Sequence, residues 1–194
     1  LRAMLHYERN QLDAAAADFK SALALSRLSG HRAAIAFTLA GHSRLLQTTG
    51  ELASAEAALA EARTLIAEGA PGWVRAEVLA RQAELALSQG KTVAVAAVLS
   101  SGRPDARPRQ DSGLRQHDTL ALANAALNAY LGTHGEPDCL EIARRETDAI
   151  VQSTTESAHT TALIQALTQR ALILSFQRET SAARADLARA LQLG

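Results

Sequence analysis

The sequence predicts an all-α fold, a right-handed superhelix (an α-solenoid) of antiparallel helix pairs. The first observation is a repeat with a period near forty residues. Its best copy is Leu52, Ala55, Leu59 and Ala62, and the same pattern stands forty residues earlier at Leu12, Ala15, Phe19 and Ala22. Partial copies follow at Gly90, Val95 and Leu99, and at Thr180, Ala183, Leu187 and Ala190. The second observation is composition, because 47% of residues are hydrophobic but only 3% are aromatic. An alanine-rich aliphatic core with a fixed period of this size is typical of stacked helix pairs.

Apolar residues at helical spacing predict a series of helices along the chain. Glycine or proline punctuates most of them, at 29–30, 50, 69–72, 90 and 135–137. Glycine suits a helix end because it tolerates the left-handed backbone conformation. Short turns make consecutive helices antiparallel. The predicted helices are 1–8, 11–28, 31–49, 51–68, 73–89, 91–99, 114–134, 138–154, 157–177 and 180–193.

Residues 100–113 differ from the rest. Two Pro, two Gly and three Arg without periodicity predict a loop there. The fourth repeat is irregular, because Arg144 stands where an apolar side chain is expected. We expect one domain, 1–194, excised from a longer protein, because the chain opens inside a helical pattern at Leu1 and closes just after another.

Each predicted pair carries small and large apolar positions with separate packing roles. Ala55 and Ala183 allow the two helices of a pair to approach closely, while four larger side chains fill the gap to the next helix. These are Phe19, Leu59, Leu99 and Leu187. Trp73 opens a helix, and burial between pairs is the favoured interpretation over an exposed stacking platform.

Composition narrows the function classes. A formal net charge of zero disfavours a long-range field that would attract nucleic acid or anionic lipid. The single cysteine, Cys139, excludes an internal disulfide and a cysteine-based metal site, and fits a reducing cytoplasm. No apolar run approaches the ~18 residues needed to cross a bilayer, and no signal peptide is visible.

The turn glycine followed by large, small, large and small apolar positions resembles the tetratricopeptide pattern, with a longer period than usual. With its longer helices, the chain is similar to the central superhelical domain of MalT-type regulators, the large ATP-dependent activators of the LuxR family. Five stretches carry this resemblance: YERNQLDAA (7–15), GELASA (50–55), SGRPD (101–105), DTLALA (118–123) and RETSAA (178–183).

The resemblance implies a function in outline. In that family an ATPase module precedes this domain and a helix-turn-helix DNA-binding domain follows it, so both are expected in the full-length protein. The domain itself would sense a small effector (a sugar in the namesake) or a regulatory protein, without touching DNA directly. The alternative is a tetratricopeptide-type protein-interaction scaffold unrelated to transcription.

The sequence carries only weak matches to catalytic, nucleotide-binding and metal-binding motifs. This favours a protein that is not an enzyme and that has no cofactor or metal. Gly90-Lys91-Thr92 imitates the end of a phosphate loop, but Leu85 occupies the position of the required first glycine. No two of the six histidines stand at i, i+4, and no Gly-x-Ser-x-Gly elbow occurs. Cys139 is interpreted as a small buried side chain. Arg103, Arg107, Arg109 and Arg115 form one basic cluster, favoured as a solvated loop over a phosphate, acidic-partner or DNA-backbone site.

The natural binding surface of a solenoid is the concave face, lined by the first helix of each pair. Amides and charges there suit sugar hydroxyls or an extended peptide, while an ordinary solvated face is the plainer alternative. The candidate residues are Arg44, Gln47, Glu77, Arg81, Glu84, Asn124, Asn128, Gln165, Thr168 and Gln169. Uncapped apolar ends also make a homodimer plausible on sequence grounds.

Overall fold

The computed structural model describes the backbone of residues 2–67, 69–101, 113–157 and 159–194, and the side chains within them except those of 100, 101 and 113–120. Secondary structure in these ranges is entirely helical, and neighbouring helices pack together. The helices are α1 (Arg2–Glu8), α2 (Leu12–Ser29), α3 (Arg32–Thr48), α4 (Leu52–Ala67), α5 (Gly72–Ser88), α6 (Thr92–Ser101), α7 (Gly113–Thr133), α8 (Asp138–Glu156), α9 (Thr160–Phe176) and α10 (Thr180–Leu193). The all-α prediction is confirmed.

The predicted loop lies almost wholly at 102–112, outside the described residues. At its edges α6 extends to Ser101 and α7 begins at Gly113. Of the basic cluster, Arg103, Arg107 and Arg109 and the side chain of Arg115 also lie outside the described part of the chain.

The turns within helix pairs repeat one backbone geometry. The second residue after each first helix has positive φ, at Asn10 (57°), Gly50 (83°), Gly90 (70°), Gly135 (121°) and Arg178 (65°). The next amide then donates to the carbonyl five residues back, at 2.8 Å for residues 51 and 46 and 2.9 Å for residues 91 and 86. This bond satisfies a helix-end carbonyl and turns the chain sharply. The first three of these positions are forty residues apart, so the sequence period is also a period of turns.

The chain forms two compact units, residues 1–116 and 117–194. In the first, α3 is the central helix. One end of α3 packs against Ala62 and Ile66 of α4 and Val74 and Val78 of α5; the other end packs Leu46 against Leu85. Low-numbered residues of α3 thus meet low-numbered residues of α5. The two helices therefore run side by side in the same direction, with α4 returning between them.

In the second unit, α9 packs against both α8 and α10. The largest apolar cluster among the described residues of this unit consists of Leu122, Ile150, Val151, Leu163, Ala166, Leu167 and Ala190. A charged group accompanies this core: Asp186 is only 8% exposed and accepts two hydrogen bonds of 2.7 Å from Arg170. Arg170 also donates to Asp148 at 2.8 Å, so one guanidinium joins α8, α9 and α10.

The structure corrects one predicted packing role and confirms three. Phe19, Leu59 and Leu99 are buried as expected, but Leu187 is 44% exposed. Positions three and four residues beyond Ala183 are both compatible with an inward face. Asp186 takes the inward place because Arg170 lies opposite it, and Leu187 is turned toward solvent.

Two further interpretations were wrong. Trp73 is 43% exposed, not a core plug, because the neighbouring Val74 fills the core at that level. Cys139 is half-buried at the start of α8, not enclosed, with its thiol 3.5 Å from a carboxylate oxygen of Glu136. Arg144, the irregular position in α8, is also only half-buried. It forms an ion pair with Glu179, in the turn between α9 and α10.

None of the helices in the described ranges is long and apolar enough to cross a membrane.

We expect Leu59→Asp to unfold the first unit locally. Leu59 is 2% exposed, so the variant loses a buried aliphatic side chain and buries an unpaired carboxylate. The loss should exceed the ~2–5 kcal/mol typical of truncating a buried leucine. Thermal unfolding followed by circular dichroism measures it, with Leu28→Asp, at a position 85% exposed, as the matched control. Equal melting of the two variants would contradict this packing.

We expect Arg178→Gly to raise stability by about 1 kcal/mol. A non-glycine residue in the left-handed region costs ~1–2 kcal/mol, and the looser unfolded glycine chain offsets part of that gain. Gly90→Ala, at the equivalent turn, should lower stability for the same reason. Denaturant unfolding of both variants gives the two signs, and a destabilised Arg178→Gly would show that this turn relies on the arginine side chain.

Candidate functional site

The first unit brings the C-terminal parts of α1, α3 and α5 together around a polar cleft of about 350 Å³. We define the polar cleft by its lining residues: Tyr7, Arg44, Gln47, Thr48 and Glu84. Three of these were predicted from the sequence, from two different repeats. They converge because α3 and α5 run in parallel and end at similar levels, with α1 packed beside α3.

Arg44 connects α3 to α1. Its guanidinium lies 4.9 Å from the centre of the Tyr7 ring and donates to Glu8 at 3.4 Å. The Tyr7 hydroxyl in turn lies 3.0 Å from the hydroxyl of Thr48. A molecule that bound to Arg44 or Thr48 would therefore compete with contacts that hold α1 in place.

Arg81 lies next to the cleft on α5, where it pairs with the lining residue Glu84. It is only 7% exposed and lies between two carboxylates, Glu77 at 2.8 Å and Glu84 one turn further on. Burial by itself lowers the pKa of Arg81, but the attraction of Glu84 and Glu77 outweighs it and raises the pKa above its ordinary value. Arg81 therefore stays charged and serves to fix Glu84, whose side chain is 39% exposed at the cleft.

The predicted residues of the second unit serve other contacts. The amides of Asn124 and Asn128 both donate to Glu146, at 2.5 and 3.2 Å, which ties α7 to α8. The amide of Gln169 donates to the backbone carbonyl of Leu122 at 2.9 Å. Thr168 donates within its own helix, and Gln165 is half-buried. The amides of Asn124, Asn128 and Gln169 thus hold helices together.

The sequence did not predict Tyr7 and Thr48 as residues of the polar cleft. It also did not predict that Phe37 of α3 and Trp73 of α5 are partly exposed. Phe37 and Trp73 meet edge to face, with ring centres 5.2 Å apart at an angle of 69°, and are 38% and 43% exposed. A usable signal was present, because Phe37 stands seven residues before Arg44 and so shares its helix face. We call Phe37 and Trp73 the aromatic pair.

A second, open groove of about 490 Å³ lies over α3, between α2 and the start of α4. His42 lies in it, with its ring centre 5.6 Å from that of Phe19. Burial lowers the pKa of His42, and Glu51 opposes that shift only in part. Lys20 and Arg27 lie along the α2 wall of this groove.

Other chemistry is sparse among the described residues. No three His, Cys, Asp or Glu side chains in the described ranges lie close enough to hold a metal ion. Burial first, and Glu136 second, raise the pKa of the Cys139 thiol, which disfavours the nucleophilic thiolate.

We expect His42 to make the first unit less stable in mild acid. A folded-state pKa below the unfolded value of about 6.5 means that the unfolded chain binds the proton more tightly. Stability therefore falls as pH drops through 6.5 toward the folded-state pKa. Unfolding midpoints measured from pH 7.5 to 5 should fall less for His42→Gln than for the parent chain. His134→Gln, at an exposed position, is the control, and parallel curves for parent and His42→Gln would refute this role.

No protein-family model matches the chain, and no curated protein matches it.

Proposed function

We propose that the chain is the sensing and interaction domain of a bacterial transcriptional regulator similar to the MalT-type members of the LuxR family. On this proposal the helix pairs stack into a right-handed, tetratricopeptide-like superhelix. The polar cleft then lies on its concave face and takes up a small effector or a segment of a regulatory protein. The protein acts by binding and not by catalysis, in the cytoplasm.

The observation that carries the proposal is the convergence of Arg44, Gln47 and Glu84 at one cleft of about 350 Å³. Polar side chains from separate repeats, with no role in the apolar core, meet where alternate helices run side by side. The cleft is open to solvent, and its volume lies near the lower end of the range typical of small-molecule sites. The cleft offers a guanidinium, an amide, a hydroxyl and a carboxylate, which together suit a ligand rich in hydroxyl or amide groups.

The contacts of Arg44 suggest how binding would be transmitted. A ligand that takes the Arg44 guanidinium or the Thr48 hydroxyl weakens the links of α3 to Glu8 and Tyr7 of α1. The equilibrium between positions of α1 then shifts by the difference in ligand affinity for them. In a regulator, a shift of this kind would alter the packing of the flanking ATPase and DNA-binding domains.

We expect a hydroxyl-rich effector to stabilise the domain through the cleft. Thermal unfolding is measured with a panel of neutral mono- to trisaccharides at millimolar concentration, where a binder raises the midpoint in proportion to RT ln(1 + [L]/Kd). Gln47→Ala and Glu84→Gln should abolish most of the rise. Gln192→Ala, exposed on α10, is the matched control and should retain it. The effector-binding proposal fails if no saccharide raises the midpoint, or if the rise survives both cleft variants.

The full reading frame that encodes this chain distinguishes the regulator hypothesis from the scaffold hypothesis. A helix-turn-helix segment downstream, with an ATPase module upstream, supports the regulator. A frame with neither supports the tetratricopeptide-type scaffold.

A further inference from the structure

We propose that the aromatic pair and the polar cleft form one docking strip for an extended protein segment that carries a large apolar side chain and, three to five residues away, a basic side chain. The proposal deepens the proposed function, on which it rests, by naming the chemistry of the partner.

Helical register places the aromatic pair and the cleft on the same faces. Phe37 and Arg44 are seven residues apart on α3, and Trp73 and Glu84 are eleven apart on α5, separations that each return to the same side of a helix. Because α3 and α5 run in the same direction, both aromatic rings lie toward one end of the strip and both charged groups toward the other. At 1.5 Å per residue, the two ends are roughly 10–16 Å apart.

The aromatic end has the character of a binding surface. The chain has one Trp and three Phe, and the Trp and one Phe are left partly in water in contact with each other. Large aromatic side chains are the residues that most often dominate protein interfaces. Both rings are partly exposed, so the pair presents apolar surface to a leucine or phenylalanine side chain of a partner.

The charged end selects a cation. Its exposed acids are Glu84 and Glu8, at 39% and 56%, whereas Arg81 is buried and Arg44 is only 20% exposed. A ligand approaching from solvent therefore meets more accessible negative than positive charge. A lysine or arginine of the partner complements it, while an acidic side chain would be repelled.

The separation of the two ends sets the spacing in the partner. An extended chain advances about 3.3 Å per residue, so three to five residues cover 10–16 Å. An extended backbone also exposes donors and acceptors, and Gln47 and Thr48, about one turn beyond Arg44 on α3, can pair with them at the charged end.

Fluorescein-labelled decapeptides with one Phe and one Arg four residues apart, in both orders, test the strip. Binding is followed by anisotropy, and the fluorescence of Trp73, the single Trp, reports contact at the aromatic end. One order should bind with a Kd in the micromolar range and shift the Trp73 emission. Replacing the peptide Arg by Glu, or its Phe by Ser, should weaken binding at least tenfold.

Variants of the protein locate the contacts. Trp73→Ala, Phe37→Ala and Glu84→Gln should each weaken binding at least fivefold, whereas Leu28→Ala, an exposed aliphatic on α2, should change it less than twofold. Circular dichroism melting identifies any variant that fails to fold, and Trp73→Phe, which keeps an aromatic ring, should restore most of the affinity lost in Trp73→Ala.

The proposal is overturned if neither peptide order binds below 1 mM, if the Arg-to-Glu peptide binds as well, or if Trp73→Ala leaves affinity unchanged. These results are separable from failure of the proposed function. If a saccharide stabilises the parent chain but not Gln47→Ala, and no peptide binds, the effector-binding cleft is supported and the docking strip is refuted. Peptide binding without any saccharide effect keeps the strip and removes the small effector.

Discussion

The left-handed residue at the turn of each helix pair is the constraint on which the arrangement depends. It reverses the chain within two or three residues, so the second helix must return along the first. Since Asn10, Gly50 and Gly90 recur at a forty-residue interval, successive first helices end at equivalent levels and point the same way. Side chains at equivalent positions in different repeats are thereby brought side by side. The polar cleft and the aromatic pair both arise from this alignment.

The two units differ in which helices supply the carboxylates that pair with Arg81 and Arg170. In the first, Arg81 is enclosed by two acids of its own helix, so its ion pairs fix the local surface of α5 and join no other element. In the second, Arg170 bridges acids on α8 and α10, and so contributes to the packing of three helices. Breaking such a buried pair costs more than the pair adds, because a charge is left without a partner. The Arg170 cluster therefore holds three helices of the second unit together, whereas the Arg81 cluster stays within α5.

Helix bounds could be predicted from the sequence because an apolar stripe and a turn residue are both local signals. The direction of individual side chains could not. Leu187 and Asp186 are both compatible with the inward face of α10, and only Arg170, sixteen residues away, decides which one turns in. Trp73 was misplaced for a similar reason, since Val74 beside it already fills the core. The commitment of Asn124 and Asn128 to Glu146 likewise depends on the crossing of α7 and α8, which no periodicity reveals.

Only part of the candidate site could be predicted from the sequence: its polar residues were identified, but its exposed aromatic residues were not. Projection from the turns identified Arg44, Gln47 and Glu84, because polar residues on a helix otherwise rich in alanine stand out. It overlooked Phe37, which looks like core in sequence. Once α3 and α5 are known to be parallel, the same projection carried back seven and eleven residues reaches Phe37 and Trp73. The exposure of both rings then follows from position: they lie on the face that carries the polar cleft, and that face is not the one that packs against α4. On the docking proposal, one partner segment would contact both ends of this surface, the aromatic pair and the polar cleft.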